Sequence, residues 1–271
     1  MEKWLTTASV LITGSSGYVG TATKEVLEQN GYMVIGFDKK DGNDTRNIFK
    51  LFFACLKKPK AIIHLSAKKS IPKSIESPMS YYLNNILSSF SVGIVSRVLG
   101  IPVVFSSSAA VYNPTNPYAK SKLIEEQLLK CLSKGLVVLR YFNLVGKTKT
   151  VKDNESTNIF SIIGREPHIK INNVSSTRDY VHVMDIALAN VLSVEYLNKN
   201  KFLITDIFTG TQITMLEVIE EYKNQGREIG YTILNKEDLS IYPSINNKDK
   251  LGWKPIHTFS QAIESEINSY T

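Results

Sequence analysis

Short, wholly apolar, β-branched runs alternate with longer helix-like stretches through the first half of the chain. Strand-like runs fall near residues 9–13, 33–38, 61–66, 101–107 and 136–142, and helical stretches near 18–30, 45–57, 79–99 and 117–134. Strands that are apolar along their whole length are buried on both faces, and alternation with helices places those helices on either side of a parallel sheet. The expected fold class is therefore α/β, a Rossmann-type doubly wound parallel sheet. After Gly146 the pattern changes: residues 147–157 are polar and read as loop, and the elements beyond mix short strands with helices.

The first strand leads into a glycine turn. Ser9-Val10-Leu11-Ile12-Thr13 runs into Gly14-Ser15-Ser16-Gly17-Tyr18-Val19-Gly20, and Thr21 to Asn30 has helical character that Gly31 ends. Strand, glycine turn and helix form the setting in which such a spacing acquires meaning. Gly14 permits the tight turn. Gly17 lets a pyrophosphate approach the backbone at the helix N-terminus, where amide groups and the helix dipole favour anions. Gly20 lets helix and strand pack closely. The spacing is G-x-x-G-x-x-G rather than G-x-G-x-x-G, and a plain βα turn is the alternative. The next strand ends at Asp38, 18 residues beyond Gly20, the position of an acid that binds the adenosine ribose hydroxyls. A carboxylate there repels a 2′-phosphate and favours NAD over NADP; Lys39 and Lys40 in the same turn leave NADP open.

Tyr118 and Lys122, in Asn116-Pro-Tyr-Ala-Lys-Ser-Lys122, are four residues apart in a helical stretch and share one face. A lysine ammonium beside a phenol favours the phenolate. Bringing a tyrosine from about 10 to about 7 requires roughly 4 kcal/mol from the site, after which it serves as a general base at neutral pH. A packed Tyr beside a solvated Lys is the plainer reading of the pair alone.

Taken in order, the motifs resemble the extended short-chain dehydrogenase/reductase family, and within it the UDP-glucose 4-epimerase group. The resemblance runs over nearly the whole chain. It rests on Gly14 to Gly20, Ala61-Ile-Ile-His-Leu-Ser-Ala67, Tyr81-Tyr-Leu-Asn-Asn85 and Phe105-Ser-Ser-Ser-Ala-Ala-Val-Tyr112. It continues in Tyr118-Ala-Lys-Ser-Lys122, Leu139-Arg-Tyr-Phe-Asn143, Arg178-Asp-Tyr-Val-His-Val-Met-Asp185 and Leu251-Gly-Trp-Lys-Pro255. It implies an NAD-binding domain of residues 1–143 plus about 179–208, and a smaller C-terminal α/β domain of about 144–178 plus 209–271 that binds a UDP-sugar.

The resemblance also implies roles. Tyr118 would take the proton of the sugar 4-hydroxyl while hydride passes from C4 to NAD; the 4-keto sugar would turn over and take the hydride back on its other face. Lys122 would lower the tyrosine pKa and bind the nicotinamide ribose, and Ser108 would hydrogen-bond the reacting oxygen. Gly14, Gly17, Tyr18, Val19, Gly20, Asp38, Asp44, Ser66, Ala67, Lys69, Asn84, Tyr141 and Phe142 would line the cofactor, with Asp44 near the adenine. Lys69, Asn143, Asn158, Ile159, Arg178, Lys236 and Tyr242 would meet the substrate. A homodimer built from the helices near 79–99 and 117–134 is the family's habit.

Departures are visible. Only five residues separate Tyr112 from Tyr118, where full-length epimerases carry a longer loop over the sugar. The region after Asn158 is also shortened. Where the family has an arginine for the diphosphate, Leu234 to Leu239 offers Lys236, a point charge without a bidentate fork. Tyr242 falls at a gate position where bulk favours UDP-glucose and UDP-galactose over the N-acetyl pair. A nucleotide-sugar reductase or another sugar-nucleotide epimerase remains a rival, as does a cofactor-binding protein without activity. A 4,6-dehydratase is disfavoured, because Ala109-Ala110 stands where those relatives carry Asp-Glu.

Composition adds bounds. With 271 residues, 43 % hydrophobic and 21 % charged, the chain reads as a globular enzyme, with no apolar run long enough to span a bilayer and no signal peptide. Cys55 and Cys131 sit among apolar neighbours in helical stretches and are expected to be buried thiols in a cytoplasmic protein. The net charge of +7 comes from scattered lysines without a nucleic-acid motif, so it belongs to a solvated surface or to steering of anionic nucleotide sugars. His64 and His182 are read as core residues and His168 and His257 as surface ones, and no metal constellation is apparent.

Overall fold

The computed structural model describes residues 8–147, 159–234, 241–244 and 246–267. The chain opens with β1 (Ser9–Thr13), α1 (Tyr18–Gln29), β2 (Met33–Phe37), α2 (Ile48–Cys55) and β3 (Ile62–His64). It continues through α3 (Ile71–Glu76), α4 (Pro78–Leu99), β4 (Val103–Ser108), α5 (Pro117–Leu132), β5 (Leu136–Tyr141) and β6 (Asn143–Val145). Then follow α6 (Ile159–Ile163), β7 (His168–Ile171), β8 (Thr177–Arg178), β9 (Tyr180–His182), α7 (Val183–Tyr196) and β10 (Phe202–Ile207). The last elements are β11 (Ile213–Thr214), α8 (Met215–Asn224), β12 (Gly230–Ile233) and α9 (Phe259–Ile267).

Six strands form one parallel sheet in the order β10-β5-β4-β3-β1-β2. Side chains alternate across it, and each face has its own core. Val10, Ile12, Ile63, Val104, Val137 and Leu139 point toward α1 and α7; Leu11, Ile62, Val103, Phe105 and Val138 point toward α2, α4 and α5. Burial on both faces is why these strands read as unbroken apolar runs. Each fully buried aliphatic side chain contributes about 1.5–3 kcal/mol. From β1 the chain goes outward to β2 and then crosses to β3 on the other side of β1. The order reverses between β1 and β3, and in open α/β sheets ligands bind outside the carboxyl ends of the strands at that point.

Beyond β5 a separate core gathers Val145, Phe160, Ile163, Ile169, Ile171, Tyr180, Met215, Val218, Tyr222 and Ile263. Its strands form three pairs, β6 with β9, β7 with β12 and β8 with β11. The Thr214 side chain and Glu217 cap α8 reciprocally. The fully buried Trp253 donates from Nε1 to the Asp185 carbonyl at 2.8 Å, which ties the Leu251-Gly-Trp segment to α7.

Three expectations are corrected. Cys131 is exposed, because the last turn of α5 turns that position away from the sheet; Cys55 is buried, and desolvation pushes its thiol up to about 12. His257 is half-buried rather than superficial: its Nδ1 lies 2.8 Å from Asp185 Oδ1 and its ring stacks on His182 at 4.1 Å. The helix near 45–57 is shorter, since Asn47 caps it at Lys50 N and α2 begins only at Ile48. The six-residue α3 has no sequence signature beyond the proline of its first turn.

Candidate active site

The glycine turn lies at the switch point. Gly14 has φ +73°, a conformation that favours glycine. A Cβ on Gly14 would fall 2.9 Å from Ser66 N, just beyond β3. Helix α1 starts behind Gly17, which offers no side chain to cap the first-turn amides. Asp38 ends β2 beneath this turn: Ser16 N donates to Oδ2 at 3.0 Å and Lys40 N to Oδ1 at 2.9 Å. A cleft of about 620 Å³ opens here, lined among others by Gly14, Gly17, Tyr18, Val19, Gly20, Ala67, Lys69 and Tyr81. The Tyr18 hydroxyl donates to the Gly146 carbonyl, and Lys69 Nζ lies 5.7 Å from the Tyr18 ring centre.

Asp44 and Ser66 are anchored nearby. Ser66 Oγ meets Thr45 Oγ1 at 2.9 Å. Asp44 accepts from Arg46 Nε at 3.0 Å, and hydrogen bonds and charge from Arg46 hold its carboxyl down at about 2. Its carboxylate is thus engaged within its own turn. Asn84 donates to Asn85 Oδ1 at 3.1 Å; the fully buried Asn85 bonds Lys68 N and Lys68 O and donates to Ser121 Oγ at 3.0 Å. Asn85 is therefore the residue of the pair that braces the segment after β3 against α5.

Ser108 closes β4, and its Oγ accepts from Ala110 N at 3.2 Å, capping the 3₁₀ turn Ala109–Tyr112. Helix α5 begins with Asn116 as N-cap, its Oδ1 accepting from Ala119 N at 2.9 Å, and Pro117 in the first position. That start puts Tyr118 in the first turn and Lys122 one turn later, against the sheet. The Ser108 hydroxyl lies near the Tyr118 phenol and favours its ionised form.

The expected depression of the Tyr118 pKa does not occur in this structure. Burial pushes the phenol up to about 12; the Ser108 hydroxyl works the other way, while Glu125 and Tyr81 push it further up. Lys122 Nζ donates to the Ser106 carbonyl at 2.9 Å, lies 4.6 Å from the centre of the Phe105 ring and stands 3.5 Å from Glu125 Oε2. Its charge is matched by a carboxylate that sequence reasoning passed over. His64 bridges Thr13 Oγ1 at 2.7 Å and Ser89 Oγ at 3.0 Å, and burial pushes it down to about 3, so it is a neutral core residue.

Tyr141 and Phe142 are core positions and line neither cleft described here. The Tyr141 hydroxyl donates to Asn190 Oδ1 at 2.7 Å, and Phe142 packs on Phe208 with ring centres 6.1 Å apart. At the end of β5 the strand alternation turns Tyr141 toward α7.

A second cleft, of about 470 Å³, is lined by Lys69, Asn143, Leu144, Ile159, Lys170, Arg178, Tyr180 and Met215, among others. Lys69 borders both clefts. Asn143 Nδ2 donates to the Asp179 carbonyl at 3.1 Å. The buried Asp179 carboxylate accepts from Thr209 N, Thr209 Oγ1 and Gly210 N at 2.7–3.0 Å, which fixes the neighbouring Arg178 on β8. Tyr242 is exposed, 3.4 Å from Thr177 Oγ1, and does not line the cleft. Asn158 and Lys236 lie outside the described residues. Among the described residues, no group of three His, Cys, Asp or Glu side chains is arranged to hold a metal ion, and no helix is long and apolar enough to cross a membrane.

The family described as NAD dependent epimerase/dehydratase matches residues 10–204. The UDP-glucose 4-epimerase of Rhizobium leguminosarum bv. trifolii is 30 % identical, with 95 % of each chain covered. The UDP-glucose 4-epimerase of Brucella ovis, solved in complex with NAD, superposes with a TM-score of 0.88 at 25 % identity, covering 97 % of this chain and 98 % of that one. The enzyme of Stenotrophomonas maltophila, solved with bound NAD and formylated UDP-arabinopyranose, gives 0.87 at 25 % identity, covering 96 % and 97 %. The chain belongs to the NAD-dependent epimerase/dehydratase family. Two relatives it resembles over 95–96 % of their length are UDP-glucose 4-epimerases.

Proposed function

We propose that this chain is an NAD-dependent nucleotide-sugar 4-epimerase that interconverts UDP-glucose and UDP-galactose, or the corresponding N-acetyl pair. The observation that carries the reading is the glycine turn, a close backbone cradle at the switch point of the sheet, with Ser108 at the carboxyl end of β4 and Lys122 anchored on the Ser106 carbonyl beside Tyr118. The cradle fits a dinucleotide: first-turn amides of α1 lack a side-chain cap, and side chains at Gly14 and Gly20 would strike backbone. Gly14, Gly17, Gly20, Tyr18, Val19, Ala67 and Lys69 would hold it, with Asp38 on the adenosine ribose. Bound NAD supplies the hydride acceptor and a positive charge that favours the Tyr118 phenolate.

Tyr118 then removes and returns the proton of the sugar 4-hydroxyl at its own hydroxyl oxygen, and Ser108 orients that oxygen. Lys69, Lys170 and Arg178 give the second cleft the positive edge that a nucleoside diphosphate requires, with Asn143 and Ile159 beside them. In this reading residues 1–143 plus about 179–208 bind the cofactor and about 144–178 plus 209–271 the nucleotide sugar. The chain works as a cytoplasmic homodimer through α4 and α5, whose Leu83, Leu87, Phe90 and Ile124 are 40–51 % exposed.

The purified protein tests the proposal. NAD that co-purifies, with UDP-galactose converted to UDP-glucose without added cofactor, is the expected result. Stoichiometric consumption of added NADPH by a nucleotide sugar would overturn it in favour of a reductase.

A further inference from the structure

A carboxylate is buried directly behind the reacting pair. Glu125 follows Lys122 by three positions on α5, so both side chains face the sheet. It is fully buried. Its Oε1 accepts from Ser89 Oγ of α4 at 2.7 Å; its Oε2 has no hydrogen-bond partner among the described residues and stands 3.5 Å from Lys122 Nζ. Ser89 meets His64 of β3, and His64 meets Thr13 at the end of β1. A continuous line of buried polar groups thus joins the start of the glycine turn to Lys122. Burying a carboxylate is costly, and an apolar residue of that size would fill the same space between helix and sheet.

We propose that Glu125 is a positioning residue that draws the Lys122 ammonium toward the Ser106 carbonyl, offsets its charge, and so sets the pH at which Tyr118 ionises. The catalytic consequence rests on the epimerase reading above; the electrostatic one does not.

The surrounding groups leave this role to Glu125. On α5, Glu126 is already matched by Arg140 of β5, at 2.7 Å, and accepts from Ser107 of β4. On α4, Ser89 presents a hydroxyl to Glu125 and Tyr81 a phenol to Tyr118. On β3, His64 is neutral. On β4, Ser106 presents a carbonyl, Phe105 a ring and Ser108 a hydroxyl. Glu125 and Tyr81 both oppose ionisation of the phenol; burial raises the pKa of Glu125 itself, while the Lys122 ammonium and the Ser89 hydrogen bond hold it down. Removing the carboxylate leaves the ammonium unopposed, which favours the phenolate and lowers the pH of ionisation.

Glu125→Gln keeps the shape and an oxygen for Ser89. Two measurements read it: kcat/KM for UDP-galactose against pH, and the tyrosinate absorbance titration of each protein minus that of its Tyr118→Phe version. The acid limb and the tyrosinate midpoint are both expected to move down by roughly half to one pH unit, about three- to tenfold more activity below the limb. Glu125→Met must shift both the same way and serves if the glutamine variant does not fold. A purely structural role would lower activity equally at every pH and leave the tyrosinate midpoint in place, and that result, or an upward shift, overturns the proposal. If the wild type converts no UDP-galactose, the epimerase reading fails, while the tyrosinate midpoints still decide the role of Glu125.

Discussion

A Cβ placed on Gly20 would fall 2.1 Å from the carbonyl oxygen of Gly14. The obstacle is backbone at the turn itself, so no side-chain rotation relieves it. Gly20→Ala should therefore push α1 away from β1, costing roughly 1–3 kcal/mol or more by overpacking. The expected outcome is loss of co-purified NAD with a lowered urea midpoint, and an alanine variant that keeps both would contradict the close approach described here.

The Ser108 hydroxyl at the end of β4 favours ionisation of the Tyr118 phenol. Tyr118→Phe should remove turnover and leave NAD binding nearly intact. Ser108→Ala should lower kcat by about 10²-fold or more, in the range for a lost acid–base or oxygen-positioning group. Single-turnover kinetics beside cofactor titration separate the two effects; full activity in the phenylalanine variant would remove Tyr118 from the mechanism.

His64 is buried between Thr13 and Ser89 with its pKa pushed down to about 3, first by burial and second by Lys122. In the unfolded chain it titrates near 6.5. Between those values the unfolded state binds the extra proton, so this group favours folding above about 6.5 and progressively less as pH falls. His64→Asn should remove that slope, about 1.4 kcal/mol per pH unit. Urea unfolding at pH 7 and pH 4.5 should show the wild type losing roughly 2–3 kcal/mol more than the variant over that interval.

Glu126 and Arg140 form a two-point ion pair at 2.9 and 2.7 Å, with Ser107 on the same carboxylate and Arg140 4.9 Å from the centre of the Tyr112 ring. Arg140→Met leaves a buried carboxylate uncompensated. A destabilisation of about 3–5 kcal/mol is expected, whereas the double change to Met at both positions should recover much of it. Thermal unfolding of the three proteins gives the comparison.

Leu87 and Phe90 on α4 are each 44 % exposed. Glutamate at both positions should turn the proposed dimer into a monomer in sedimentation equilibrium without loss of fold, as judged by near-UV circular dichroism. An unchanged mass would move the contact elsewhere.

What was legible in the chain was local. The alternation of apolar runs with helices predicts the parallel sheet, the glycine spacing predicts the cradle, and Asn116-Pro117 starts the helix that carries Tyr118 and Lys122. Each depends on residues within a few positions of one another, where backbone dihedrals, capping and side-chain period decide the outcome. The tertiary structure decided the rest. Tyr141 turns into the core because Asn190, 49 residues later, meets its hydroxyl; Asn85 braces the site through Ser121, 36 residues away. Glu125 carried no signal in the sequence, since its weight comes from Ser89 on another helix. The Tyr118 pKa is raised rather than lowered because ionisation answers to burial and to every nearby charge, and those are brought together only when distant parts of the chain pack.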